Sequence, residues 1–365
     1  MDNSILRKIY GTLAVAGMFM VGTVQAQTSY VDKLFPNVVI SKVNYDKAVN
    51  EIKNNPGGKF AKAYNNVKNV ADKCISSNKK ADPVKNWQTN PATTPLNEQM
   101  SDIYNLCVSY AFTGNQTYLN KAVENLSAWA RVNKALPKSS IQEERYMPAM
   151  EGYSLIRRSV PEESRKLIDK WAADRMNVFL SNPDLRVNNW GTSLLVQYAV
   201  YGYVLERKDW VELAQKEYPE WVKKNLYPNG ATTDLLGRDA FAYHAYDLLF
   251  FARMCRLKAI FQGYEAADKF YTQDVNWGAS IKHSVDFWKP YLLDAKKNFH
   301  LEFLQTEWEP DKKRGDYNKP YNPAGTIYVI DEFFEFDESL KDILSQYRGG
   351  SYTWKAALSS LRYIK

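Results

Sequence analysis

Cysteine and histidine are both scarce in this sequence of 365 residues, which contains three of each. Cys74, Cys107 and Cys255 are too few for a disulfide scaffold, and they form no CxxC or Cys/His pattern of the kind that binds zinc. If the chain is exported, Cys74 and Cys107 can pair and leave the third cysteine free. The composition therefore argues against a Cys/His metal site, and we expect neither a metal nor another cofactor.

Long apolar runs are also lacking after the first 26 residues. Arg7 and Lys8 precede an apolar stretch at residues 13–21, and small residues follow it up to Ala26. This order is typical of a secretory signal peptide, and the apolar stretch is too short to span a membrane. We expect cleavage after Ala26, export to the bacterial periplasm or beyond, and a single monomeric domain over residues 27–365 without a membrane segment.

A strong excess of one charge is absent too, since 48 basic residues face 41 acidic ones. The sequence contains no Lys/Arg stripe and no nucleic-acid motif, which argues against nucleic acid as a partner. A mildly basic surface suits an acidic polysaccharide in the expected compartment, although an ordinary solvated surface explains the charge equally well. Aromatic residues, by contrast, reach 14%, and sugar-binding proteins are often rich in them.

Helical periodicity is the dominant pattern of the sequence. Apolar residues recur at helical spacing in two hairpins, over residues 100–112 with 118–130 and residues 192–205 with 210–226. Further helical stretches are 45–73, 147–158, 161–180, 246–262 and 277–292. Only residues 326–330 have the composition of a strand, and they could equally begin the last helix. Successive helix pairs of this kind predict an all-α fold, an α/α toroid that forms an incomplete barrel of helical hairpins.

Two long polar loops interrupt the helical pattern, at residues 76–96 and 307–324. The first includes Trp87 and Gln88, and the second is rich in Pro, Lys, Asp and Tyr. Loops of this length on a helical scaffold often carry binding residues, so we expect substrate contacts from both.

Two asparagines mark the start of the helix that begins near residue 190. Asn188 and Asn189 precede Trp190 and Gly191. Asparagine amides donate hydrogen bonds to a carboxylate without titrating, and helix N-termini favour anions. The pair is therefore a candidate anion-binding group. The alternative is that one asparagine caps the helix while Trp190 packs in the core.

A second motif combines an arginine, two tyrosines and one of the three histidines. Arg238 is followed by Tyr243, His244 and Tyr246. Together these side chains can bind an anion and transfer protons. The alternatives are a buried structural histidine and a surface ion pair between Arg238 and Asp239 of little energetic value.

A third motif lies further along the chain. His300 and Glu302 lie on one side if their segment is extended, and Arg314, Tyr317 and Tyr321 follow. A metal site is one interpretation of the first two residues, and a solvated acidic loop is the other. The two tyrosines are further candidates for a catalytic base.

Three of these segments together resemble the alginate lyase superfamily of polysaccharide lyases. They are the hairpin of residues 113–130, the Asn188-Asn189 helix start and the segment Asn229-Gly230…Arg238…Tyr243-His244-x-Tyr246. Within the superfamily the sequence is most similar to polysaccharide lyase family 38, whose members cleave glucuronan and mannuronate-type alginate. Family 5 mannuronate lyases are related, but they have histidine where Trp190 stands here. The resemblance implies an α/α toroid.

The resemblance also implies cleavage of a 4-linked polyuronate by β-elimination, which removes the proton at C5 and expels the oxygen at C4. The carboxylate beside C5 must be neutralised first, because its charge makes that proton only weakly acidic. The implied neutralising residues are Asn188, Asn189, His244 and Arg238. Tyr243 is the implied proton-transfer residue, with Tyr246 as the second choice, and no metal is needed.

Substrate-binding residues are expected around this centre. They are Trp87, Gln88, Trp190, Tyr246, His300, Arg314, Tyr317 and Tyr321. Two rival functions stay open. A glycoside hydrolase needs two carboxylates that flank the bond, for which the sequence offers Asp234, Asp239, Glu302 and Glu307. A periplasmic glycan-binding protein without activity would use stacking platforms such as Trp87, Trp190 and Trp308.

Overall fold

The computed structural model describes residues 30–82, 84, 93–136, 140–181, 183 and 185–364. The predicted signal peptide, Trp87 and Gln88 lie outside the described residues. Within the described part, none of the helices combines the length and the apolar composition that crossing a membrane requires.

The regular structure in these residues is helical. Helices α1 to α16 span Lys42–Asn54, Lys59–Ile75, Thr93–Thr113, Gln116–Val132, Ser140–Glu143, Met147–Ile156, Glu162–Leu180, Asn189–Leu205, Lys208–Asn225, Thr233–Arg238, Phe241–Gln262, Tyr264–Thr272, Ile281–Leu293, Ile327–Phe333, Lys341–Arg348 and Trp354–Ser360. Short 3₁₀ turns connect several of them, and the only β-structure among the described residues consists of isolated bridges.

Seven of the helices form a closed cycle of contacts. In order they are α2, α3, α6, α8, α11, α14 and α16, and α16 packs back against α2. Helices α1, α4, α9 and α12 each pack against the member of the cycle that is their neighbour in sequence. This arrangement is the all-α toroid of helix pairs that the periodicity predicts, and the prediction is confirmed.

The centre of the toroid is made by helices that are buried around most of their circumference. Nearly every residue of α6 and α8 is buried, and so are most residues of α11. A helix without a polar face is stable only when other helices surround it. One contiguous apolar cluster accordingly extends from Leu34 to Leu361. This packing fixes the N-terminal ends of α8 and α11, which carry the first and second motifs.

Residues 326–330 begin a helix rather than a strand, which is the second of the two interpretations. Helix α14 starts at Ile327, directly after the 3₁₀ turn Pro323–Gly325. Its aliphatic residues and Phe333 are buried, and a short buried apolar run has the same composition in a helix and in a strand.

The pairing of Cys74 with Cys107 that the sequence leaves open is not formed, because all three cysteines are free and buried. Cys107 on α3 packs beside Gly152 on α6, whereas Cys74 on α2 lies next to Asp102. The two thiols therefore face different neighbours. Burial raises the pKa of each thiol, so none of them is an activated nucleophile.

Candidate active site

The start of α8 gives its two asparagines different tasks. Asn188 is the N-cap, and its side-chain oxygen accepts a 3.0 Å hydrogen bond from the main-chain nitrogen of Trp190. Asn189 is only 2% exposed, and its main-chain nitrogen and side-chain amide donate to the two carboxylate oxygens of Asp234 at 2.6 and 2.8 Å. Asn188 therefore caps the helix at a partly exposed position, while Asn189 ties the helix to Asp234.

Close packing fixes the chain at this helix start. A Cβ atom on Gly191 would lie 2.2 Å from the Trp221 ring and 2.4 Å from the Arg186 carbonyl oxygen, so only glycine fits there. Trp190 is partly exposed, and the guanidinium carbon of Arg186 lies 4.1 Å from the centroid of its ring. Trp190 thus forms a cation–π pair at the edge of the core.

A second group, which we call the rim cluster, consists of Arg238, Tyr243, Trp308 and Arg314. The Arg238 guanidinium stacks on two aromatic rings, with its carbon 4.1 Å from the Tyr243 centroid and 4.2 Å from the Trp308 centroid. The same guanidinium pairs with the fully buried carboxylate of Asp311, instead of forming a surface pair with the residue next to it in sequence. Arg238 therefore anchors the loop that follows α13 to the start of α11.

Arg314 approaches Tyr243 from this loop. Its Nη1 atom lies 3.5 Å from the Tyr243 hydroxyl oxygen, and its guanidinium carbon lies 5.5 Å from the ring centroid. The Arg314 side chain is 38% exposed and bonds the exposed carboxylate of Asp316 at 2.9 and 3.0 Å. Tyr243, itself partly exposed, thus lies beside a guanidinium that solvent can reach, which suits an anionic ligand.

Tyr246 lies on the same face of α11 as Tyr243, one helical turn further along. Its ring contacts Phe250 at a centroid distance of 5.0 Å. Burial, with the charge of Glu144 next in importance, raises the pKa of Tyr246 well above its usual value. A phenol that ionises less readily is seldom present as the phenolate that acts as a base, so the environment argues against Tyr246 in that role.

His244 is fully buried, and its two ring nitrogens are both engaged. Nδ1 lies 3.1 Å from the Thr232 hydroxyl and Nε2 lies 3.4 Å from the Ser284 carbonyl oxygen. Burial lowers the pKa of His244 to about 3, so the ring is neutral, and these partners assign the proton to Nε2. His244 therefore has no donor to offer a substrate carboxylate. The expectation of a neutralising role is corrected, and the alternative of a structural histidine is the one that the structure supports.

The third motif holds its own loop in place. Glu302 is 4% exposed and accepts hydrogen bonds from the main-chain nitrogens of Phe241 and Ala242 at 2.8 and 3.1 Å, so it caps α11. His300 Nε2 lies 3.1 Å from the Asp239 carbonyl oxygen, to which it donates. Across the described ranges of the chain, no three His, Cys, Asp or Glu side chains are grouped closely enough to hold a metal ion.

The two tyrosines of this motif differ in exposure. Tyr321 is 6% exposed, and its hydroxyl accepts a 3.0 Å hydrogen bond from Trp288 and bonds Thr326 as well. Burial raises the pKa of Tyr321. It is a core residue, so the expectation that it contacts substrate or acts as a base is corrected. Tyr317 is partly exposed in the turn that follows Arg314, and its contact with substrate stays a prediction.

A buried network of polar residues lies at the base of the α8 start. We use this name for Thr192, Asn225, Asp234 and Asp247, none of which is more than 3% exposed. The Asn225 amide donates to Thr192 at 3.0 Å and to Asp247 at 2.7 Å. Burial raises the pKa of Asp234 to about 6 against the opposing effect of its bonds from Asn189. Burial first, and the charge of Asp234 second, raise the pKa of Asp247 well above its usual value.

Two of the four carboxylates of the hydrolase alternative lie beside one histidine, because Asp239 Oδ1 and Glu302 Oε1 are 3.7 and 3.8 Å from His300 Nε2. Asp234 and Glu302 are buried and hydrogen-bonded to main-chain nitrogens. Asp239 accepts a 2.7 Å hydrogen bond from the Gln305 nitrogen, and Glu307 is exposed. A glycosidase needs one free carboxyl on each side of the scissile bond, whereas Asp234, Asp239 and Glu302 already accept hydrogen bonds from main-chain nitrogens.

Two contacts that shape the site are missing from the sequence motifs. Asp311, the partner of Arg238, lies 73 positions away in the chain, and Asp234, the partner of Asn189, lies 45 positions away. Asp311 carries no local signal of its own, and Asp234 stands out only as an acidic residue in a motif. The rim cluster that results combines two arginines with a tyrosine and with Trp308, which is 52% exposed. Such a surface can hold a sugar ring and its carboxylate.

Solved structures of alginate lyases share this fold. An alginate lyase from Bacteroides ovatus is 17% identical with a TM-score of 0.64, covering 89% of this chain and 99% of that one. Alginate lyase A1-III from Sphingomonas species A1 is 12% identical with a TM-score of 0.64, covering 92% and 99%. A variant of alginate lyase A1-III complexed with a tetrasaccharide is 13% identical with a TM-score of 0.56, covering 80% and 86%. At these identities the likeness shows the fold alone.

Sequence comparison supplies the family. None of the curated protein sequences matches the chain, but the profile of the family described as Alginate lyase matches residues 40–299. This range is more than half of the 365 residues and includes the α8 start as well as Arg238 and Tyr243. The chain therefore belongs to the alginate lyase family and is a polysaccharide lyase.

Proposed function

We propose that the chain cleaves 4-linked polyuronates, of the mannuronate-type alginate or glucuronan class, by β-elimination. The rim cluster is the observation that carries this proposal, because the partly exposed Tyr243 contacts both Arg238 and Arg314 there. A polyuronate has one carboxylate on each sugar. The cluster combines cations for that carboxylate with a phenol for proton transfer.

Neutralising the carboxylate is the first requirement of the reaction. Arg314 is the better placed cation, since it is exposed and its partner Asp316 is exposed too. The charge of Arg238 is already offset by Asp311. Asn188 adds an uncharged amide at the N-terminal end of α8, where the helix itself favours an anion. Arg314 and Asn188 therefore replace His244 in the neutralising role.

Proton transfer is the second requirement, and we assign it to Tyr243. The Tyr243 side chain reacts as the phenolate: it takes the proton from C5 and gives that proton to O4 as the C4–O bond breaks. The electron pair of the C5–H bond becomes the C4=C5 double bond, and the tyrosine ends in its starting state. The nearby guanidinium groups stabilise negative charge on the phenol oxygen while it acts as base. Both transfers use one face of the sugar ring.

Aromatic and cationic side chains beside this centre suit a polymeric substrate. Trp308 and the Trp190–Arg186 pair supply apolar faces for sugar rings next to positive charge. The predicted signal peptide at residues 1–26 agrees with a polymer that is degraded outside the cytoplasm, and we propose a periplasmic or secreted location. A binding protein would need the platforms alone, whereas the contact between Tyr243 and Arg314 favours catalysis.

The assay that tests the proposal compares polymannuronate, polyguluronate and glucuronan with a neutral 4-linked glucan. Ultraviolet absorbance of the unsaturated uronate end and the release of reducing ends are followed together. We expect both signals to rise in parallel with at least one polyuronate and neither to rise with the glucan. Reducing ends without absorbance would identify a hydrolase, and binding without either signal would identify a glycan-binding protein; each of these results contradicts the proposal.

A further inference from the structure

We infer that Asp234 is a positioning residue of the lyase reaction, whose carboxylate holds the start of α8 in register with the rim cluster. The inference rests on the proposed function and adds to it a residue that touches no substrate. It follows from the two hydrogen bonds that Asn189 donates to Asp234 at 2.6 and 2.8 Å.

The first argument is the geometry at α8. One bond comes from the main chain of Asn189 and the other from its side chain, and each reaches a different carboxylate oxygen. Two bonds of this kind fix both the position of the backbone and the orientation of the amide. Asn188 and Trp190, the neighbours of Asn189 on either side, carry the partly exposed groups that we place near substrate.

The second argument is the position of Asp234 in its own helix. Helix α10 has only six residues, and Arg238 is its last. Asp234 therefore lies one turn from the arginine that stacks on Tyr243. Thr232 caps the helix by accepting a 3.2 Å hydrogen bond from the Leu235 nitrogen, which keeps the turn rigid. A single turn of helix thus links Asn189 to the rim cluster.

The third argument is chemical. A carboxylate accepts both bonds at once, whereas an asparagine at this position has one oxygen and would turn an N–H toward a donor. The charged groups around Asp234 are Arg238 on α10, Arg186 before α8 and Asp247 on α11. Burying the Asp234 carboxylate costs folding free energy, because burial raises its pKa even though Arg238 and Arg186 oppose the rise. Its presence here is explained if the two bonds to Asn189 serve the reaction.

The test compares Asp234→Asn with Asp247→Asn, which makes the same isosteric change in the buried network without touching Asn189. We expect Asp234→Asn to lower kcat ~10- to 100-fold with KM changed less than ~2-fold, because reacting groups are displaced while the binding surface remains. The Asp247→Asn control should retain kcat within ~3-fold. The double variant Asp234→Asn with Asn189→Asp exchanges the two side chains, so that the amide at position 234 again faces a carboxylate at position 189. This variant should recover part of the lost kcat.

The pH profile of kcat separates positioning from a purely structural role. In the wild type Asp234 takes up a proton as the pH falls through about 6 and loses one acceptor, so kcat should decline on the acid side. Arg238 and Arg186 oppose this protonation, and Asp247, whose own pKa is raised by burial and by the charge of Asp234, is the other titratable group beside it. The Asp234→Asn profile should lack that acid decline. Unchanged kcat in this variant, or an acid decline that persists in it, overturns the inference.

A last control separates the inference from the proposed function. If the wild type forms no unsaturated product from any polyuronate, the proposed function fails. Hydrogen exchange of the Asn189 amide then tests separately whether the Asp234 carboxylate holds the start of α8. We expect faster exchange in Asp234→Asn than in Asp247→Asn. Equal protection of the amide in both variants would show that the carboxylate does not hold the start of α8.

Discussion

The rim cluster and the buried network are neighbouring groups of polar residues that differ in exposure and in partners. In the rim cluster, Arg314 and Trp308 are 38% and 52% exposed, and cations contact aromatic rings and carboxylates. In the buried network all members are at most 3% exposed, and Asp234 receives its bonds from uncharged donors. Under the proposed function, this difference places the reaction with substrate at the rim and the alignment of α8 at Asp234 of the network.

Tyr243 and His244 show how sharp the boundary between the two regions is. They are consecutive on α11, but each helical residue is rotated by about 100° from the one before it. Tyr243 faces the rim with Arg314, whereas His244 faces Ser284 on α13 and is fully buried. Adjacency in a motif therefore does not show that two side chains serve the same site.

The largest effect that would separate the regions concerns the two arginines of the rim cluster. Arg238→Met leaves the fully buried Asp311 carboxylate without its cation and should cost about 3–5 kcal/mol of stability. Arg314→Met removes an exposed pair with Asp316 and should cost less than about 1 kcal/mol. Urea denaturation of both variants measures the difference. Equal losses would mean that Arg238 does not anchor the loop.

The next effect concerns the two tyrosines on one face of α11. Tyr243→Phe should lower kcat by at least ~10²-fold with little change in KM, because a proton-transfer group is lost while the ring and its contact with Arg238 remain. Tyr246→Phe is the matched control and should retain most of the turnover. Steady-state kinetics on the preferred polyuronate give both values. A greater loss in the control would transfer the role to Tyr246.

Much of the fold could be predicted from local patterns. The apolar spacing of residues 192–205 predicts a helix, and α8 spans Asn189–Leu205. The extra turn at its start depends on the Asn188 cap. From the sequence alone, Asn188 could either cap the helix or bind an anion. Residues 326–330 could not be assigned to one structure, because a buried apolar run has no distinguishing period.

The site was predictable only in its local parts. Arg238, Tyr243 and Asn188 stand out because their chemistry is recognisable in a short segment. The bonds of Asn189 with Asp234 and of Arg238 with Asp311 join residues 45 and 73 positions apart, and no local pattern encodes such pairs. The burial of His244 likewise depends on how α11 packs against α13, which a single helix does not determine.

A smaller effect should appear in the pH dependence of stability. The pKa of His244 is about 3 in the folded protein against an ordinary value of about 6.5, so the unfolded chain binds more protons between these values. Stability is therefore retained above pH ~6.5 and falls by up to about 1.4 kcal/mol per pH unit below it. Asp234 changes the stability in the opposite direction as the pH falls, because its pKa is raised in the folded protein. This contribution is the same in the wild type and in His244→Gln, so it cancels when the two are compared.

Comparison with that variant isolates the histidine. Thermal or urea denaturation at several pH values should show a shallower loss of stability on the acid side in His244→Gln than in the wild type. The variant should also keep its kcat once folded, because His244 contacts Thr232 and Ser284 rather than substrate. A large fall in kcat at unchanged stability would return His244 to the active site.

The smallest effect tests whether Asn188 belongs to both regions at once. Its side-chain oxygen caps α8 through Trp190, so Asn188→Ala should cost about 1 kcal/mol of stability. Asn188→Asp keeps an acceptor for the cap and adds a charge that the helix N-terminus favours, so its stability should stay within about 0.5 kcal/mol of the wild type. The same charge would repel a substrate carboxylate and should lower kcat/KM. If Asn188→Asp matches the wild type in both stability and kcat/KM, Asn188 is a cap only, and carboxylate neutralisation falls to Arg314 alone.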